Sequence, residues 1–166
     1  MPDRYAHCTF CGARFTPRQP WPRRCAACGE TSYLNPKPVA VAVQPVGLGL
    51  LVVRRGVPPA RDRLALPGGY IDVGETWQEA TVRELAEETA LVADPSSVRL
   101  FDTLSAPHGT LLVFGLLPAI TELPQFHPNG ETLGLAVLDE PAELGFSLHT
   151  QVAERYFASV ARERRR

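Results

Sequence analysis

The stretch Gly68–Leu91, GGYIDVGETWQEATVRELAEETAL, constrains this chain more than any other. A glycine turn opens it and a strongly charged helix follows. Thr76 is a good N-cap, and Glu79 three residues later completes a capping box, which predicts a helix over Trp77–Thr89. At about 100° per residue, Glu84, Glu87 and Glu88 fall on one arc of that helix. Val82, Leu85, Ala86 and Thr89 fall on a second arc that can face a core, and Arg83 lies beside the acids. Like charges three and four positions apart repel, so the three carboxylates destabilise a short helix unless a cation sits among them. A hard divalent ion held by oxygens, with part of its water shell kept for a substrate phosphate, meets that need. Taken alone, the helix also reads as a solvated acidic face.

The wider spacing separates these readings. It runs Gly69, five residues, Glu75, seven residues, Arg83-Glu84-Leu85, one residue, Glu87-Glu88, two residues, Leu91. This resembles the signature box of the Nudix hydrolases. One position departs: Ala90 stands where the family usually has a helix-ending glycine, which puts the helix end in question and leaves every carboxylate in place. The resemblance implies an α/β fold, a Nudix-type α/β/α sandwich with a mixed sheet. It also implies metal-dependent hydrolysis of a nucleoside diphosphate linked to another group, with Mg²⁺ or Mn²⁺ as cofactor. Glu84, Glu87 and Glu88 are the expected metal ligands, with the backbone carbonyl of Gly68 helping. Arg83 is expected to orient its neighbours by ion pairing, and Glu75 to support the site from its edge. Relatives place the general base on the helix or on a later loop; the later-loop candidate here is Glu131, as base or metal ligand, with a plain surface glutamate as the competing reading.

A second motif opens the chain. Cys8, Cys11, Cys25 and Cys28 form two C-x2-C pairs, each followed by glycine, at Gly12 and Gly29. Four thiolates in tetrahedral array make a structural Zn²⁺ site with no open position for catalysis. Two disulfides would need an oxidising compartment, and a redox C-x-x-C would need a thioredoxin-like setting. Four cysteines fill the site without His7. Pro36 and Pro38 forbid a helix at Asn35–Pro38, and the segment Tyr33–Pro38 resembles the joint of Nudix proteins that carry an N-terminal zinc ribbon. The expected division is a zinc ribbon over residues 1–36 and a hydrolase domain over 37–166.

Strands are expected at Val39–Val43, Leu48–Arg54, Val98–Leu104, Leu111–Leu117 and Leu133–Leu138, a loop at Pro118–Gly130, and a closing helix at Gln151–Arg162. Arg54, Arg55 and the turn residue His108 are candidate substrate contacts. A net charge of −1 argues for neither a nucleic-acid nor a membrane partner. No apolar run of membrane-spanning length occurs, so a cytoplasmic, soluble protein is expected, acting on a nucleotide-type small molecule. Zinc-ribbon relatives that hydrolyse NADH carry a Ser-Gln-Pro-Trp-Pro-Phe-Pro motif after the box; Gln19–Pro22 resembles part of it but lies before the box. Pro107 stands near where ADP-ribose hydrolysing members have a proline, so an ADP-ribose-like substrate is favoured over NADH or a nucleoside triphosphate. The competing readings are a ribbon that binds nucleic acid beside a vestigial hydrolase domain, and a ribbon that serves as an interaction module or homodimer contact.

Overall fold

The computed structural model describes residues 5–107 and 109–165; His108 lies outside them. The chain divides into two compact units, Met1–Pro36 and Lys37–Arg166. In the first, strands β1 (Arg23–Arg24) and β2 (Thr31–Ser32) pair antiparallel. Its core is Cys8, Phe15 and Cys25, flanked by Ala13 and Trp21. So small a core supplies little folding energy by itself.

The second unit is a layered α/β structure. Strands β3 (Lys37–Val43), β7 (Gly68–Tyr70), β8 (Arg99–Ala106) and β9 (Thr110–Leu116) form a mixed sheet in the order β7-β3-β9-β8, with β3 and β9 parallel. Strands β4 (Pro45–Val46), β5 (Gly49–Arg55), β6 (Leu64–Ala65) and β10 (Thr132–Leu138) form an antiparallel set around β5. Side chains alternate along a strand, and β3 and β5 use both faces. Val41, Val43, Leu50 and Val52 pack with Val152, Ala153 and Tyr156 of helix α2 (Ser147–Glu163). Ala42 and Leu51 pack with Leu85 of helix α1 (Trp77–Thr89). This is the expected sandwich, a mixed sheet between two helices.

The capping box of α1 is present: Thr76 Oγ1 accepts from the Glu79 N–H at 3.2 Å, and Glu79 Oε2 accepts from the Thr76 N–H at 2.8 Å. The helix stops at Thr89 because Ala90 takes the left-handed conformation, φ 65°, and its N–H closes on the Ala86 carbonyl at 2.9 Å. Alanine thus does the work of the usual glycine, at a cost of about 1 kcal/mol. Ala90→Gly should therefore raise stability by about 0.5–1 kcal/mol, read as a higher denaturant midpoint at unchanged slope.

Three expectations need correction. Gly68 and Gly69 are not a turn but strand β7, with Gly68 opposite Val41 and Gly69 opposite Ala40. A Cβ on Gly68 would collide with the Ala40 carbonyl, so the glycine serves close backbone approach. Helix α2 begins at Ser147, a turn before Gln151, with no side-chain cap at Phe146 to announce it. The strands at Arg99–Ala106 and Thr110–Leu116 are each shifted by a residue or two from the expected bounds.

Candidate active site and metal centre

In the first unit the two cysteine knuckles fold alike. The Gly12 N–H donates to the Cys8 carbonyl at 3.0 Å, and the Gly29 N–H to the Cys25 carbonyl at 2.9 Å, with both glycines at positive φ. The turns aim four sulfurs at one point, all within 4.8 Å of one another. Cys8 and Cys28 Sγ are 3.8 Å apart, Cys11 and Cys25 Sγ 3.6 Å. A tetrahedral ion with metal–sulfur bonds of about 2.3 Å separates its sulfurs by about 3.8 Å, so the donor set fits zinc. Titration is split across the cluster. The Cys8 thiol is lowered to about 6, first by the backbone N–H of Cys11. Cys28 is pushed up to about 12: the Glu30 N–H favours its thiolate, but burial and the neighbouring sulfurs outweigh that. Holding all four sulfurs as thiolates at this spacing would take a cation among them. His7 is exposed and lies outside the cluster.

In the second unit, α1 presents its three glutamates in unequal settings. Glu88 is buried at 5% exposure, Glu84 is half-buried and Glu87 is exposed. Strand β7 makes the difference: the Gly68 N–H donates to Glu88 Oε2 at 3.2 Å, and Gly69 lies so close to Glu84 that a Cβ there would strike its carboxylate. Arg83 is the hub on the solvent side. Its Nε and Nη2 grip Glu75 at 2.8 and 3.0 Å, and Nη2 also donates to the Tyr70 carbonyl at 3.0 Å. Its Nη1 donates to Glu84 Oε1 at 2.7 Å and reaches Glu87 Oε2 at 3.4 Å. Those bonds hold Glu75 below its usual range and raise Arg83 far above its own.

The loop carrying Glu131 is tied to the same helix. Asn129 Oδ1 accepts from the N–H groups of Glu131 and Thr132 at 2.9 and 2.7 Å, while its Nδ2 donates to the Glu87 carbonyl at 3.2 Å. The Glu131 charge is felt at both Glu84 and Glu88. Burial, first of all, raises Glu84 against the pull of Arg83. Burial also lifts Glu88 from 4.5 to about 7, with Gly68 and Arg55 opposing and Glu84 and Glu131 assisting.

Among the described residues the glutamates are not gathered as tightly as the thiols; only the four cysteines meet within 4.8 Å. Uncompensated carboxylates repel, and Arg83 holds Glu84 and Glu87 on its own side. Yet Glu84 Oε2 and Glu88 Oε1 have no hydrogen-bond partner among the described residues. Carboxylate oxygens withdrawn from solvent, without a hydrogen-bond partner and with acidity suppressed by burial, are the donor chemistry of a hard divalent cation.

The elevated Glu88 gives a pH signature. A folded-state value near 7 against 4.5 means the folded protein holds this proton longer than the unfolded chain. In magnesium-free buffer, stability should therefore fall as pH rises from about 4.5 to 7, by about 3–4 kcal/mol at most, then level off. Chemical denaturation of wild type and Glu88→Gln across this range checks it. Equal slopes in the two proteins would remove Glu88 as the cause.

Beside β7 the structure opens a cleft of about 760 Å³. It is lined by Arg55, Leu66, Tyr70, Pro107, Phe146 and His149, among others. Of the two candidate arginines, Arg55 faces this cleft, with its guanidinium 5.1 Å from the Phe146 ring centroid, whereas Arg54 donates to the Asp62 carbonyl. Tyr70, Phe146 and His149 carry no motif or spacing; only tertiary folding brings them to the cleft.

The family model of the NUDIX domain matches residues 35–156. The ADP-ribose pyrophosphatase of Methanocaldococcus jannaschii is 36% identical over 75 residues, 45% of this chain and 43% of that protein. The NAD-capped RNA hydrolase NudC of Deinococcus radiodurans is 30% identical over 112 residues, 63% of this chain and 40% of its own length. The chain thus spans less than half of either relative. A NUDIX hydrolase structure from Nitrosomonas europaea superposes with a TM-score of 0.75 over 92% of this chain and 90% of that one, at 23% identity, a likeness of fold. Among the described residues, no helix is long and apolar enough to cross a membrane.

Proposed function

We propose that this chain, which belongs to the Nudix family, hydrolyses the diphosphate bond of a nucleoside diphosphate linked to another group, with an ADP-ribose-like compound as substrate. The observation that carries this reading is the pair of adjoining carboxylates, buried Glu88 and half-buried Glu84, each with one oxygen left without a partner among the described residues, set beside a cleft of about 760 Å³. Glu84, Glu87 and Glu88, with the Gly68 carbonyl, would hold Mg²⁺ or Mn²⁺. Such an ion, when bound, neutralises phosphate charge and lowers the pKa of a bound water.

The protein's own groups supply the rest. Arg83 fixes Glu84 against Glu75, so the ligand carboxylate does not wander. Gly68 fixes Glu88 through its N–H. Glu131, an exposed carboxylate on a loop braced by Asn129, would accept a proton from an attacking water. Arg55, the charged side chain lining the cleft, suits a phosphate oxygen. In the first unit, Cys8, Cys11, Cys25 and Cys28 would hold a structural Zn²⁺.

Support for ADP-ribose comes from the name of the Methanocaldococcus relative, from Pro107 in the cleft wall, and from the absence of the NADH-type motif after Leu91. The second reading, a nicotinamide dinucleotide, draws on the longer match to the Deinococcus relative. Specificity constants for ADP-ribose, NADH and ATP, each with Mg²⁺ and Mn²⁺, separate them. ADP-ribose is expected to lead; a lead of about tenfold, or 1.4 kcal/mol, for either competitor overturns the substrate and leaves the reaction class standing.

A further inference from the structure

The cleft beside β7 contains a donor that the hydrolytic reading does not use. His149, in the first turn of α2, is 6% exposed. Its ring is held by Phe114 and Phe146, at centroid distances of 5.8 and 5.0 Å. Nδ1 accepts the Leu66 N–H at 3.2 Å, which places the proton of the neutral ring on Nε2. That Nε2–H has no hydrogen-bond partner among the described residues, and His149 lines the cleft. Burial, with the Arg55 charge, lowers its pKa to about 3, so the ring stays neutral and serves as a donor rather than as an acid or base. The ring is packed against two aromatic side chains while its Nε2–H is left without a protein partner on the cleft, where an acceptor on a ligand would complete its bonding.

The walls define that ligand. No Asp or Glu lines the cleft, and Arg55 is its one charged side chain among the described residues. A cationic group finds no counter-charge there. Arg55 over Phe146, with Tyr70 on the same cleft, offers flat surfaces for a planar ring. The Arg55 charge is felt both at Glu88 and at His149, so the donor site and the carboxylate site adjoin. We propose that this cleft takes the purine of the substrate's nucleoside, with His149 Nε2–H donating to a ring nitrogen and Phe146 and Tyr70 flanking the ring. His149 is then a specificity-determining residue, not one that takes part in bond breaking. The assignment rests on the diphosphate hydrolase reading, but binding tests it without turnover.

The probes are AMP and ribose 5-phosphate, titrated into the zinc-loaded full chain with Mg²⁺. With ¹⁵N-histidine protein, AMP should shift the His149 Nε2 signal and ribose 5-phosphate should not. By calorimetry, His149→Phe should weaken AMP by about tenfold or more, and His149→Gln, which keeps a donor, should recover most of it. Because His149→Phe also strips Leu66 of its acceptor, its fold is checked first; where it unfolds, the wild-type titration decides. AMP that fails to bind, a His149 signal unmoved at AMP saturation, or an equal shift from ribose 5-phosphate overturns the assignment. None of these results touches the hydrolase reading, which stands or falls on turnover and on Glu88.

Discussion

Glu88→Gln should lower turnover by about a hundredfold or more, equivalent to at least about 2.7 kcal/mol of transition-state stabilisation. Glutamine keeps the length, the helix propensity and an oxygen to accept the Gly68 N–H, so β7 and α1 stay joined. What it removes is one negative charge at the most buried carboxylate of the helix. A neutral amide is a poor ligand for a hard cation, so magnesium affinity and turnover fall together. Folding should move the other way. In magnesium-free buffer the variant should be as stable as wild type at pH 5 and more stable at pH 7.5, because wild type alone carries a buried charge there. Near-normal turnover would show that the carboxylates of α1 are not the catalytic metal site, whatever the fold.

The other large effect concerns the cysteines. Cys25→Ser should abolish tight zinc binding and unfold the first unit, leaving the second folded. Wild type should hold one zinc per chain through dialysis against magnesium-free, chelator-free buffer. Zinc binding by small domains of this kind contributes about 10–16 kcal/mol, which is folding energy when little else is buried. Here the core beside the sulfurs is Phe15, with Ala13 and Trp21 flanking. The second unit has its own clusters around Phe114 and Leu85, and neither includes a residue of the first. Metal analysis, thiol alkylation and hydrogen exchange report the three consequences separately. Zinc-free protein with four alkylatable thiols and a protected first unit would contradict the assignment.

Local signals in the sequence were enough for α1 and for the cysteine centre. A capping box and an i, i+3, i+4 set of acids are contained in one helix, and paired C-x2-C-x-like knuckles ending in glycine each close on themselves. The rest depends on distant partners. Nothing in Gly68-Gly69-Tyr70 says strand until β3 lies beside it. The acid spacing does not distinguish buried Glu88 from exposed Glu87; the Gly68 N–H and the sheet do. Helix α2 starts without a side-chain cap, so its first turn, and His149 within it, carried no local mark. The cleft is assembled from β3, β5, β7, β9 and the segment entering α2, which no single window of sequence contains.

The most direct test of the central claim is hydrolysis of ADP-ribose in ¹⁸O-water, with Mg²⁺ present or omitted and zinc left in place. Products identified by mass should be AMP and ribose 5-phosphate, with one ¹⁸O in one of them, formed only when the divalent ion is supplied. Cleavage that proceeds equally without added Mg²⁺ or Mn²⁺, or no cleavage of ADP-ribose, NADH or ATP under any of these conditions, would contradict the account.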